Sequence, residues 1–260
     1  MTLFDSHAHY WDDRLKGDAE TLIPAFFASG GAGIINVGTS PETSRLAARQ
    51  ARAFPHVVTA LGIHPSDAAE LRGTPEEEVD QIRTMLRDPA NLAVAVGEIG
   101  LDYHWEPFDR TLQQTYFELQ MELAHEFSLP VVVHDRDAHG DSFETVRRYP
   151  DVRGVFHSYS GSAEEALDLC RRGWYISFSG TLTFQNARRV REVAAAVPRE
   201  RVLIETDAPY LTPHPHRGER NHSGYLHFTC ETLAQVYGVT PEEASAVTFE
   251  NARELFRLPF

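Results

Sequence analysis

Short apolar runs alternate with longer amphipathic stretches along the whole chain. The runs at 3–5, 33–37, 57–61, 92–96, 130–133, 154–156, 175–178 and 202–204 are mostly apolar, without the in–out alternation of a half-solvated strand. That pattern marks parallel strands covered on both faces. Helix starts are legible between them. Ser40-Pro41 sets a cap before a proline at the first helical position. Thr74-Pro75-Glu76-Glu77, Ser162-Ala163-Glu164-Glu165 and Thr240-Pro241-Glu242-Glu243 each read as a capping box. The segment 108–128 carries Leu112, Tyr116, Leu119, Leu123 and Phe127 on one stripe, which predicts a long amphipathic helix. Eight strand-then-helix units predict an α/β fold, a closed (β/α)8 TIM barrel forming a single domain over residues 1–260. An open doubly wound sheet is the competing arrangement.

Composition narrows the picture. The 260 residues are 42% hydrophobic and 24% charged, which suits one large globular core. No apolar run approaches the roughly 18 residues needed to span a bilayer. The opening MTLFDSHAHYWDD has neither a basic nor an apolar leader region, so a cytoplasmic location is expected. Cys170 and Cys230 are not in a CxxC pair and read as small buried hydrophobes. With 38 acidic against 24 basic residues the formal charge is −14, which argues against non-specific wrapping of nucleic acid. A nuclease remains compatible, because bound metal ions supply local positive charge.

The chemistry-bearing residues fall at the ends of the strand runs. Asp5-Ser6-His7-Ala8-His9 follows the first, Glu98 the fourth, His134 the fifth, His157 the sixth and Asp207 the eighth. In a barrel these points share the C-terminal rim, where active sites are built. His7 and His9 alternate across one residue, so in extended chain both imidazoles point the same way and suit one ion. His214-Pro215-His216 is a second such spacing, but lies in a proline-rich loop. Four imidazoles and two carboxylates suit a two-ion site of zinc, manganese, iron or magnesium. Lys16 is the only lysine and stands in the polar segment after the first strand. A carbamylated lysine bridge is thereby excluded, which leaves Glu98 as the natural bridging ligand, and the same count argues against Schiff-base chemistry.

At these residues the chain resembles the TatD family of metal-dependent deoxyribonucleases, within the amidohydrolase-like barrels. The likeness runs nearly end to end. It includes Asp5-Ser6-His7-Ala8-His9, Gly62-Ile63-His64-Pro65, Gly97-Glu98-Ile99-Gly100-Leu101-Asp102-Tyr103 and Leu129 to His134. It continues through Phe156-His157-Ser158-Tyr159-Ser160-Gly161, Glu205 to Leu211 and Arg217-Gly218-Glu219-Arg220-Asn221. The resemblance implies His7, His9 and Asp207 on one ion, His134 and His157 on a second, and Glu98 on both. Two divalent metal ions (Zn, Mn or Mg) are the implied cofactors. Ser158-Tyr159 stands where the family usually has Cys-Phe, which bears on the substrate pocket rather than on the ligand His157.

The implied activity is DNA phosphodiester hydrolysis of the 3′–5′ exonuclease type, with Glu98 and Asp207 as the catalytic carboxylates. DNA, as a single strand or an end, is the expected transient partner; no membrane and no stable protein partner are expected. His64, Asp102, Arg136, Arg217 and Arg220 are the candidate substrate contacts, arginine's fork being suited to phosphate oxygens. Asp102 and Glu205 are also placed to orient imidazoles. Trp11, Tyr103, Trp105, Tyr159 and Tyr210 flank the rim and are candidates for stacking bases. The competing function is hydrolysis of an amide, lactone or ester by the same metal core. A non-catalytic metal-binding scaffold fits less well, because the ligand set is intact.

Overall fold

A computed structural model describes residues 1–258 and 260. Eight strands, β1 (Leu3–Ala8), β2 (Gly31–Val37), β3 (Val57–Leu61), β4 (Ala93–Asp102), β5 (Val131–Arg136), β6 (Gly154–Phe156), β7 (Tyr175–Phe178) and β8 (Val202–Ile204), form one sheet in sequence order. The pairings β1/β2, β3/β4, β4/β5, β5/β6 and β7/β8 are parallel. A parallel bridge between Ala8 and Ala208 joins β1 to the chain just past β8. There the His9 amide donates to the Ala208 carbonyl at 2.7 Å, and the Asp207 amide to the His7 carbonyl at 2.9 Å. The fold is a (β/α)8 barrel, as the alternating pattern predicts.

The intervening helices are α1 (Ala19–Ala28), α2 (Pro41–Ala53), α3 (Pro75–Leu86), α4 (Arg110–Phe127), α5 (His139–Arg147), α6 (Ala163–Arg171) and α7 (Arg188–Ala196). Two helices, α8 (Leu226–Tyr237) and α9 (Pro241–Phe256), follow β8. The three capping boxes form as read, on α3, α6 and α9, and Ser40 makes a fourth on α2 with Thr43. Each such cap contributes about 1 kcal/mol by satisfying amides that the first helical turn leaves without partners. Among the described residues no helix is long and apolar enough to cross a membrane.

The chain divides into two compact units, residues 1–36 with 157–260, and residues 37–156. In the first, Phe26, Ile34, Ile35, Trp174, Phe178, Ile204 and Leu233 are buried. In the second, Leu61, Val96, Tyr116, Phe117, Val132 and Phe156 are buried, with Phe143 edge-on to Phe156.

Two features differ from the sequence pattern. Strand β4 does not stop at residue 96 but runs through Glu98 to Asp102, paired with β5 from Val96 onward with a register irregularity at Glu98. Gly97 and Gly100 allow the two strands to approach closely. Gly100 has φ +136°, and a Cβ there would lie 2.0 Å from the His134 carbonyl oxygen. Glu98 therefore sits within a rigid strand.

The buried face of α4 is also turned from the apolar stripe. Gln113 and Gln120 are buried, whereas Leu112, Leu119 and Phe127 are only partly covered. The reason is that both amides hold backbone. Gln120 accepts from the Ile63 N–H at 2.7 Å and donates to the Ile63 carbonyl at 3.0 Å. Gln113 grips Asp102 in the same two-handed way, with both bonds at 2.9 Å. Helix α4 thus fixes the chain beside His64 and at Asp102.

Replacing Gln120 by leucine keeps the volume but strands the Ile63 amide and carbonyl. The expected loss is about 2–3 kcal/mol of unfolding free energy, read by urea denaturation with an unchanged m value.

Candidate metal centre

In the unit formed by residues 1–36 and 157–260, the end of β1 and the turn after β8 are locked by one buried carboxylate. Asp5 accepts from the Thr206 hydroxyl and the Ser223 hydroxyl, each at 2.6 Å, and from the Thr206 amide at 2.9 Å. Burial pushes its carboxyl up to about 6 in spite of these donors. Tyr10 extends the network, its hydroxyl donating to Ser223 Oγ at 3.0 Å. Asn221 ties the same turn from behind, donating to the Thr206 and Tyr210 carbonyls. Asp207 emerges from this lock at φ 56°, in the left-handed region. Aspartate tolerates that conformation better than most residues, and its amide bond to His7 holds it there.

His7, His9, His157 and Asp207 come together on this framework. His7 Nε2 and His9 Nε2 approach to 3.0 Å, with Asp207 Oδ1 at 3.8 and 3.5 Å respectively. The His157 ring stacks on His7 with centroids 4.1 Å apart. Burial would raise the Asp207 carboxyl, but its bond to His9 and the charge of the three imidazoles outweigh that and hold it below the usual range. Glu205 Oε1 lies 3.2 Å from His157 Nδ1 and accepts from the Ser158 amide at 2.7 Å. A carboxylate at Nδ1 fixes the proton there and leaves Nε2 with its lone pair, the usual way a ligand imidazole is oriented. Ligand atoms of His7, His157 and Glu205 lie within 4.8 Å of one another.

In the unit formed by residues 37–156, Glu98 and His134 meet across β4 and β5. His134 has Glu98 Oε1 at 2.9 Å from Nδ1 and Asp102 Oδ2 at 3.0 Å from Nε2. Burial would raise the Asp102 carboxyl, yet the bond and charge of His134 bring it down to about 2. His64 Nε2 stands 3.5 Å from Glu98 Oε1. These three form a second group with metal-ligand spacing. Within it the roles of the two histidines differ. His64 Nδ1 accepts the Ser66 amide at 3.0 Å, so the neutral ring carries its proton on Nε2 and is a donor there.

Both groups fit a cation. A neutral imidazole has one proton for two nitrogens, so His134 cannot donate to both flanking carboxylates. Likewise His7 Nε2 and His9 Nε2 converge on one another beside the Asp207 carboxylate. A divalent ion supplies the positive charge that each arrangement lacks.

Arg136, at the end of β5, is exposed and lies over the Trp105 ring at 5.2 Å. Arg217 donates to the Thr212 carbonyl and covers Phe184, while Arg220 pairs with Asp18 at 2.6 Å. Both thus hold the loop after β8. Asp5, Gln113 and Gln120 are positioning residues that motif spacing did not single out. The available signal was polarity, a carboxylate or amide at positions otherwise reserved for apolar side chains.

Imidazoles and carboxylates gathered at the C-terminal ends of barrel strands define a metal-dependent hydrolase. The chain belongs to the TatD family: the family model "TatD related DNase" matches residues 4–257. It is 37% identical to the uncharacterized metal-dependent hydrolase YabD of Bacillus subtilis, over 98% of this chain and 99% of that protein. It is 31% identical to the 3′–5′ ssDNA/RNA exonuclease TatD of Salmonella typhimurium, over 99% of this chain and all of that one. Among solved structures, the TatD homologue YJJV of Escherichia coli superposes with a TM-score of 0.93 at 27% identity, covering 99% of each chain.

Asp5→Ala removes an acceptor shared by three short hydrogen bonds and is expected to cost about 3 kcal/mol or more. Asp5→Asn, which retains one acceptor oxygen, should lose less. Thermal and urea unfolding of the two variants beside the parent protein measure the difference.

Proposed function

We propose that this chain is a metal-dependent deoxyribonuclease that hydrolyses phosphodiester bonds of single-stranded or frayed DNA, in the 3′–5′ exonuclease manner. The observation that carries the reading is the pair of groups, one buried and one part-buried, in which imidazole nitrogens and carboxylate oxygens converge at metal-ligand spacing. The metal ligands are His7, His9, His157 and Asp207 in one unit and Glu98 and His134 in the other. They would hold divalent ions, Zn, Mn or Mg. Such ions supply positive charge that acidifies water and draws charge from the phosphoryl oxygens. A relative matched along its whole length is named as an ssDNA/RNA exonuclease, which supports the phosphodiester over other esters.

The protein's own groups divide the remaining work. Asp207, kept ionised by its histidine neighbours, is the base that accepts the proton of the attacking water. That role is worth about 10²–10⁴-fold in rate. His64, with its proton on Nε2, donates to a phosphoryl oxygen rather than ligating. Asp102 and Glu205 hold His134 and His157 in the tautomers that ligation needs. Glu98 contributes a carboxylate from a rigid strand, so its oxygens need no reordering when a cation binds. Arg136 meets the phosphate, while Arg217 and Arg220 shape the loop after β8.

The test is a digest of strands labelled at either end by metal-replete protein, with a chelated control and a panel of carboxylic esters and lactones. Chelation should abolish cleavage, and added divalent ion should restore it. Glu98→Ala should lose at least about 10²-fold in kcat with an unchanged thermal midpoint. Turnover of the esters alone would overturn the nuclease reading.

A further inference from the structure

Of the five aromatic side chains at the strand ends, the fold withdraws three from any stacking role. Tyr159 is buried and donates its hydroxyl to the Ser162 carbonyl. Tyr103 stacks on Phe108 at 5.0 Å, donates to Asp141 and carries Arg110 over its ring. Trp11 is half-buried, edge-on to His9. Tyr210 is 45% exposed, but the guanidinium above it, Arg14, is already held by both oxygens of Asp12.

Trp105 differs on each count. It is 63% exposed, the most open large hydrophobic side chain among the described residues. Its indole lies under Arg136 at 5.2 Å. Among the described residues Arg136 makes no ion pair, in a chain with 38 acidic residues. The platform is nevertheless braced. His104 sits edge-on to the indole at 4.8 Å and is itself paired with Asp137 at 2.7 Å. Arg136 stands two positions after His134 on β5, and alternate residues of a strand share a face. Arg136 is thus directed to the same side as His134.

An exposed indole is costly in solubility, and an unpaired guanidinium is an open anion contact; side by side they match the two chemistries of one nucleotide. We propose that Trp105 and Arg136 form a nucleotide subsite. The indole stacks one unpaired base, and the guanidinium takes the adjoining phosphate. Bases inside a duplex have both faces covered, so the subsite selects a single strand or a frayed end. This rests on the nuclease reading above and gives it a substrate preference.

The test compares kcat/KM for a labelled single-stranded oligodeoxynucleotide with that for a strand of equal length whose three terminal nucleotides at each end are abasic. The metal-replete protein should prefer the base-bearing strand. Trp105→Ala should lose about tenfold on that strand and less than about twofold on the abasic one, while Trp105→Phe keeps most of the preference. Arg136→Ala should lower both strands alike, by about five- to tenfold. Because both side chains are exposed, thermal midpoints should not move. A parent protein that treats the two strands alike, a Trp105→Ala loss equal on both, or no loss at all, overturns the subsite and leaves the nuclease reading standing. A parent protein that cleaves neither strand overturns both.

Discussion

A carboxylate or imidazole taken out of water must be met by donors, by opposite charge or by a cation, because desolvation otherwise drives it to its neutral form. Much of the arrangement at these strand ends answers that requirement. Asp5 is met by hydroxyls and an amide of the turn after β8, and so becomes the fastening between β1 and that turn. Asp102 and Asp207 are met by imidazoles and stay ionised despite burial. In both units imidazole nitrogens and carboxylate oxygens lie at the spacing of metal ligands.

Rigidity follows from the same polar groups. The candidate ligands Glu98 and His134 stand on neighbouring strands, not on loops. Neighbouring segments are held through their backbones: Ile63 and Asp102 by Gln120 and Gln113, and Thr206 by Asp5 and Asn221. Side-chain amides serve this purpose well because one group both donates and accepts, satisfying a whole peptide unit at once. Groups held this way need little reorganisation when charge develops beside them, and reorganisation is what makes electrostatic stabilisation expensive in water.

The distribution of charge bears on what such a centre takes. An acidic body repels a long polyanion, and several arginines in this chain are paired with carboxylates, as Arg14, Arg83, Arg148 and Arg220 are. Arg136, near the end of β5, lies instead over an exposed indole. Affinity concentrated at one nucleotide, rather than spread along a duplex, is the form of recognition that such a balance favours.

Strand order, helix starts and the candidate ligand residues are all legible in the sequence, because they depend on short-range rules. Apolar runs imply covered strands, Ser or Thr before Pro and Glu implies a cap, and His, Asp or Glu after a strand implies a rim position. Other features required the folded chain. Whether Gly97 and Gly100 end a strand or let two strands close up depends on the neighbour across the sheet. Gln113 and Gln120 interrupt an apolar stripe for no reason visible within α4, since the peptide groups they satisfy come from segments remote in sequence. The tautomer of His64 is set by the amide of Ser66, and five similar aromatics are told apart only by what covers them. Local sequence determines which groups are available; hydrogen-bond partners and exposure are properties of distant segments brought together, and only the tertiary structure decides them.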